Sequence, residues 1–230
     1  MSVLESGLLA RVVVALVVGL GLFAVVVFWP AGRLDWLGGW LYMAVVGTHL
    51  LVNILYLMRT NPELIVRRMQ LGRGTKHWDK IWLTVFTPVF VIIYVVAGLD
   101  AGRFGWTAMP TWAWLAGFLL FVPGAALFTW AMAVNPFFEK TVRIQSERGH
   151  IVIDAGPYAF MRHPGYVGFC VWILSAPLLL RSGWALVPAL VAVAAVVVRT
   201  ALEDETLRRE LVGYEAYASR VRFRLIPGLW

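Results

Sequence analysis

An all-α integral membrane protein is the fold class that this 230-residue sequence predicts, and three observations predict it. Hydrophobic residues make up 60% of the chain and charged residues only 14%, where a soluble domain carries about 25% charged residues. The apolar residues gather in runs near the roughly 20 that a helix needs to cross a 30 Å hydrocarbon core. The Lys and Arg residues lie between those runs and mostly on one side of them. A soluble globule and a disordered chain are thereby excluded, and the single Cys170 cannot form an internal disulfide. The formal net charge is +7, from 20 basic and 13 acidic residues. Basic residues placed between apolar runs set membrane orientation, so no nucleic-acid partner is expected.

The first run is Leu8 to Trp29, with Arg11 near its start, where a long side chain snorkels. It is too long for a signal peptide, and no small-residue cleavage site follows. The second run, Trp36 to Met58, contains Thr48, His49 and Asn53, so one face is expected to be buried in protein. Arg59 to Lys80 is polar and carries Arg59, Arg67, Arg68, Arg73, Lys76 and Lys80 against only Glu63 and Asp79. The third and fourth runs are Ile81 to Leu99 and Trp112 to Val134, joined by a short turn. Asn135 to His163 is polar and aromatic, and rich in Gly and Pro. Two shorter runs follow, Tyr166 to Leu180 and Trp184 to Val198, and the second is expected to continue as helix past Arg199 into water. Pro177 and Pro188 are expected to bend this hairpin. The charged, amphipathic tail predicts a cytoplasmic C-terminal helix.

About six membrane helices therefore put both termini on one side. The segments 59–80, 135–163 and 199–224 carry nearly all the Lys and Arg and fall on that same side, which the positive-inside rule makes the cytoplasm. A multi-pass protein of the cell (inner) membrane is expected, with residues 1–134 as N-terminal helices and 135–230 as a C-terminal module.

Few groups in the runs could do chemistry. No chain of acids or lysines sits at bilayer depth, as a proton-coupled transporter needs. His49 and Asn53 share a helix face, which suits an interhelical hydrogen bond better than a site. His77, His150 and His163 lack metal-ligand spacing, so no metal is expected, and no Gly-x-Gly-x-x-Gly is present. The dense segment is Gln145 to Gly168. In Arg162-His163-Pro164-Gly165-Tyr166, Pro164 suits the first turn of a helix. Free N–H groups at such a start bind anions, though Arg162 and His163 could equally face lipid headgroups. Arg199 and Glu203 are four apart at the mouth of the last run. They could bind a zwitterion, or form only a surface ion pair.

From Gln145 to the C-terminus the chain resembles the isoprenylcysteine carboxyl methyltransferase family, and more broadly the membrane methyltransferases that include phospholipid N-methyltransferases. The matching elements are Gln145, His150-Ile-Val, Gly156-Pro157-Tyr158, Arg162-His163-Pro164-Gly165-Tyr166-Val167-Gly168, a hydrophobic hairpin, Arg199-x-x-x-Glu203-Asp204, and a tail with Tyr214, Tyr217 and Arg224-Leu-Ile-Pro227. They cover roughly the last 90 residues in the family's order. The first 130 residues or so resemble the family only in having transmembrane helices.

The resemblance implies S-adenosylmethionine as methyl donor, with S-adenosylhomocysteine as product. Carried across, the donor would be held by Gln145, His150, Ile151, Val152, Ile153, Tyr158, His163, Pro164, Gly165, Tyr166 and Glu203. Arg199 would meet the acceptor, so Arg199 and Glu203 are the expected catalytic pair. The acceptor would be lipidic or hydrophobic, with a prenylcysteine carboxylate favoured over a phospholipid amine or a small thiol. The Arg-rich, Lys-poor composition leans bacterial. An NADPH-dependent reductase of the sterol type and a non-enzymatic scaffold rank lower.

Overall fold

The computed structural model describes residues 3–69 and 74–230, with side chains from residue 10 onward. Arg73, one of the predicted basic cluster, lies outside the described residues. The fold is all-helical. Among the described residues eight α-helices follow in order: α1 Val3–Ala31, α2 Leu37–Thr60, α3 Pro62–Arg68, α4 His77–Ala97, α5 Thr111–Val134, α6 Pro164–Leu179, α7 Leu186–Glu210 and α8 Tyr214–Arg220. A π-helical turn, Gly98–Phe104, prolongs α4.

Among the described residues five helices are long and apolar enough to cross a membrane: Ala10–Ala31, Leu37–Thr60, His77–Phe104, Thr111–Val134 and Leu186–Glu210. The sixth expected crossing, α6, has 16 residues and rises about 24 Å, short of a hydrocarbon core of about 30 Å. The expected count of six therefore depends on this shorter arm. As expected, α7 runs on past Arg199, to Glu210. The polar, basic segment after α2 holds α3. Pro62 opens that helix at its first turn, where the missing N–H costs nothing. Pro177 lies inside α6. Pro188, expected to bend the hairpin, sits in the first turn of α7, where backbone N–H groups have no intrahelical partner anyway.

Small residues bring α5 and α6 together as an antiparallel pair. A Cβ on Gly168 would stand 2.6 Å from the Gly124 carbonyl oxygen and 2.7 Å from the Phe128 nitrogen. Such close backbone approach between membrane helices needs a residue without a side chain. A second antiparallel pair is α4 with α7, where the Trp82 indole N–H donates to the Ala195 carbonyl at 2.8 Å.

An apolar core links these pairs to α1 and α2. Tyr42 on α2 donates to the Tyr94 hydroxyl of α4 at 3.1 Å, and Phe23 of α1 packs edge-on against Tyr94. The face of α2 singled out in the sequence makes interhelical contacts. Asn53 donates to Thr129 of α5 at 2.7 Å, and His49 packs edge-on against Phe121 and Trp172.

Candidate active site

The connector from Asn135 to His163 is polar chain leaving α5, and its backbone needs partners that no helix supplies. Asn61, at the corner between α2 and α3, donates to the carbonyls of Met132 and Asn135 at 3.0 and 3.3 Å, satisfying the exposed end of α5. Asn135 in turn accepts from the Phe137 N–H at 2.8 Å and donates to the Tyr158 hydroxyl at 3.2 Å. Arg143 grips Glu139 through two contacts, at 2.8 and 2.9 Å, and reaches Glu147 at 2.7 Å. Gly149 turns the chain at a positive φ of 62°, and residues 150–153 then run without helix.

These pieces close around a cavity of about 370 Å³ where α3, α4, α6 and α7 meet the connector. That volume lies within the range of small-molecule sites. Of the residues expected to hold a donor, His150, Ile151, Val152, Ile153, Tyr158, His163, Gly165, Tyr166 and Glu203 all line it, and so does Arg199. Gln145 and Pro164 are not among the lining residues. Gln145 is buried in the loop behind it, donating to the Phe137 carbonyl at 2.9 Å and accepting from Arg148 at 2.7 Å. Pro164 is the buried first residue of α6.

Ile151, Val152 and Ile153 make no backbone hydrogen bond with the described residues. Their N–H and C=O groups thus form an open edge beside the cavity. His150 lies over Phe137, with ring centroids 4.3 Å apart, and its Nδ1 accepts from the Gln145 N–H at 3.3 Å. Burial, followed by the charges of Arg143 and Arg148, pushes the imidazole down to about 4. It is therefore neutral at physiological pH.

Glu203 does not pair with Arg199. Its carboxylate accepts a hydrogen bond from the Tyr166 hydroxyl, across the gap between α7 and α6. Arg199 instead grips Asp79 of α4, with Nε to Oδ1 at 2.8 Å and Nη2 to Oδ2 at 3.2 Å. The same Nη2 donates to the Lys140 carbonyl at 2.9 Å. Its guanidinium lies over Trp82 at 4.5 Å and over Tyr166 at 5.5 Å. Asp79 also accepts from the Val142 N–H at 2.7 Å, so one buried carboxylate joins α4, α7 and the connector.

Asp204, next in the chain, points the other way and is fully buried. It accepts from Arg162 at 2.7 and 3.0 Å, Arg224 at 2.9 Å, Arg208 at 3.2 Å and the Tyr214 hydroxyl at 2.9 Å. His163 Nε2 lies 3.3 Å from it. The tail is held there by its backbone as well, since the Arg162 and His163 N–H groups donate to the carbonyls of Phe223 and Arg224. Asp204 is thus the anchor that fixes the tail and the Arg-His-Pro turn behind the cavity.

Arg68, Asp79 and Trp82 were not singled out in the sequence as site residues. Asp79 carried one signal, as one of only two acids in a strongly basic segment. Below them the cavity is apolar and aromatic, lined by Trp82, Phe86, Phe128 and Phe169. Thr87, exposed on α4, lines it too, so the cavity reaches the outer surface of that helix.

Fold and site define a multi-pass, all-α membrane protein whose polar cavity sits where its basic segments gather, with an aromatic extension between its helices. Comparison with known proteins narrows this class. Residues 116–209 match the model of the isoprenylcysteine carboxyl methyltransferase (ICMT) family, so the resemblance read from the motifs holds across the hairpin and most of the cavity. The chain is 40% identical over 110 residues to a protein-S-isoprenylcysteine O-methyltransferase of Schizosaccharomyces pombe; the match covers 47% of this chain and 41% of that protein. It is 24% identical over 140 residues to the enzyme of that name from Dictyostelium discoideum, covering 50% of this chain and 59% of that one. The chain thus matches less than two thirds of the length of these relatives. The fold is similar to a solved structure of the eukaryotic intramembrane Ras methyltransferase ICMT. The TM-score is 0.53 at 18% identity, over 82% of this chain and 64% of that one.

Proposed function

We propose that this protein is a membrane S-adenosylmethionine-dependent methyltransferase that O-methylates the carboxylate of a lipidic acceptor of the prenylcysteine type. The observation that supports this most is a single cavity with two unlike ends. One end carries an open backbone edge, a tyrosine and the carboxylate it bonds; the other carries arginines above an aromatic slot. A water-soluble donor suits the first and an apolar acid suits the second.

The residues present fit the donor. The open backbone groups of Ile151 to Ile153 suit the hydrogen-bonding edge of an adenine ring. Glu203, whose only side-chain partner among the described residues is Tyr166, can accept from a cationic amine or a ribose hydroxyl. When bound, S-adenosylmethionine supplies an electrophilic methyl group on a sulfonium sulfur.

The remaining work belongs to the chain and is mostly positioning, which contributes several kcal/mol to such a displacement. Tyr166 and Glu203 fix the donor side of the junction. Arg199, held in place by Asp79, Trp82 and Tyr166, keeps positive charge where the two ends meet. Trp82, Phe86, Phe128 and Phe169 exclude water around an apolar tail. A carboxylate acceptor is already ionised at neutral pH, so no general base is required.

In this reading residues 135–230 form the donor module, and α3 and α4 of the N-terminal part shape the acceptor end. Both termini and the donor mouth face the cytoplasm of a cell with this membrane as its inner membrane, in accord with the basic segments. A lipidic acceptor enters sideways along α4, past Thr87.

Melting of the purified full chain with added ligands tests the donor. S-adenosylmethionine or its demethylated product at a hundredfold excess over Kd should stabilise by about 2.7 kcal/mol. A shift with NADPH and none with either of these would overturn the reading.

A further inference from the structure

The cavity contains a cation that no carboxylate among the described residues meets within ion-pair distance. Among the described residues four arginines line it, namely Arg68, Arg143, Arg162 and Arg199. Arg143 is paired with Glu139 and Glu147, Arg162 with Asp204, and Arg199 with Asp79. Arg68, the last residue of α3, is half-buried and has no carboxylate within ion-pair distance among the described residues. Its Nη1 donates to the Phe138 carbonyl at 3.0 Å, and its guanidinium lies 5.5 Å from the centre of the Phe138 ring. The rest of its fork has no partner among the described residues.

Lys140 lines the same wall and likewise has no acid within ion-pair distance among the described residues. Both cations are disfavoured by their surroundings. Burial, then the nearby charge of Arg199, pushes Arg68 down to about 10. Burial, then Arg68 itself, lowers Lys140. A partly desolvated cation with open donors is complementary to an anion. Arg199 is poorly suited to supply that contact, because Nε and Nη2 are already committed to Asp79 and the Lys140 carbonyl.

We propose that Arg68 is the residue that receives the acceptor's carboxylate, with Lys140 beside it, so that the cavity selects apolar molecules bearing an acid and rejects those bearing an amine. This rests on the methyltransferase reading for the identity of the reaction, but the selection itself is a binding property. A planar fork matches the two oxygens of a carboxylate, and a lysine in its place offers only a point charge. The apolar tail lies among Trp82, Phe86, Phe128 and Phe169, and the acid end rises toward α3.

The test uses the purified full chain, with S-farnesyl-N-acetylcysteine as the acid probe and its carboxamide as the neutral control. Wild type should bind the acid more tightly than the carboxamide in a competition assay that needs no turnover. Arg68→Ala should weaken acid binding by roughly tenfold to a hundredfold. It should leave carboxamide binding and the Kd for S-adenosylmethionine unchanged. Arg68→Lys should fall between, and Arg68→Gln replaces Arg68→Ala if the alanine variant does not fold. Equal binding of acid and carboxamide by wild type, or an unchanged preference in the Arg68 variants, overturns the proposal. An Arg68-dependent preference without any methyl transfer would instead uphold it and count against the reaction assigned above.

Discussion

Arg199 and Glu203 stand one helical turn apart on α7, yet each turns to a different helix: Arg199 to Asp79 of α4, Glu203 to Tyr166 of α6. The spacing that invites a local ion pair is used to reach in two directions. Removing the two groups should therefore have different consequences. Glu203→Gln should weaken S-adenosylmethionine binding by roughly tenfold to a hundredfold, the range for a hydrogen bond to a charged group, with little change in melting temperature. Arg199→Ala leaves Asp79 buried without its cation, which should cost about 3–5 kcal/mol of stability and abolish turnover. Asp79→Asn should be nearly as damaging, and the double variant much less than the sum of the two. Melting curves and donor titration measured separately on each variant decide this.

Asp204→Asn should detach the tail. The buried carboxylate is shared by Arg162, Arg208, Arg224 and Tyr214, so neutralising it strands several donors and cations at once. A loss of about 3–5 kcal/mol is expected, with proteolysis of the segment after Glu210 becoming fast. Glu205→Gln, which removes an exposed ion pair with Arg209, should change stability by less than about 1 kcal/mol. Limited proteolysis of the two variants side by side checks both.

His150 predicts a pH dependence with a definite sign. An unfolded histidine takes up its proton near 6.5, but the folded one does so only near 4. Between these values the unfolded chain binds more protons, so stability falls as pH is lowered through that window. Above about 6.5 this contribution is fully present. The melting temperature should drop between pH 6.5 and 4, and His150→Asn should flatten that part of the profile.

Gly168→Ala should push α5 and α6 apart. The added carbon would meet backbone atoms of Gly124 and Phe128 rather than a flexible side chain. Overpacking of this kind costs about 1–3 kcal/mol. Because α6 also carries Gly165 and Tyr166 at its start, just after His163, donor affinity should fall along with melting temperature. Thermal melting and donor titration of the one variant measure both effects.

The membrane helices were legible because hydropathy is a local property. Each predicted run lies within or close to an observed helix, and the continuation of α7 past Arg199 followed from its charged sequence. The motif residues from His150 to Glu203 were legible as a group, and most of them line one cavity. What sequence could not show were partners distant in the chain. Asp79 and Arg199 are 120 residues apart, and no periodicity links them. Gln145 was read as a donor-binding residue from its place in the motif, and sequence could not show that its amide bonds the Phe137 carbonyl and Arg148. Arg68 was hidden among other basic residues whose collective role, orientation in the membrane, was sufficient explanation. Only the pairing of its neighbours with acids leaves it distinct.

The most direct test of the central claim is to incubate the purified chain with S-adenosylmethionine labelled on its methyl group and a farnesylcysteine acid, then treat the lipid product with alkali. Carboxylate O-methylation predicts label in the lipid fraction that is released as volatile methanol, because a methyl ester hydrolyses in base. Label that survives alkali on added phosphatidylethanolamine or a small thiol, with none on the acid, would contradict it.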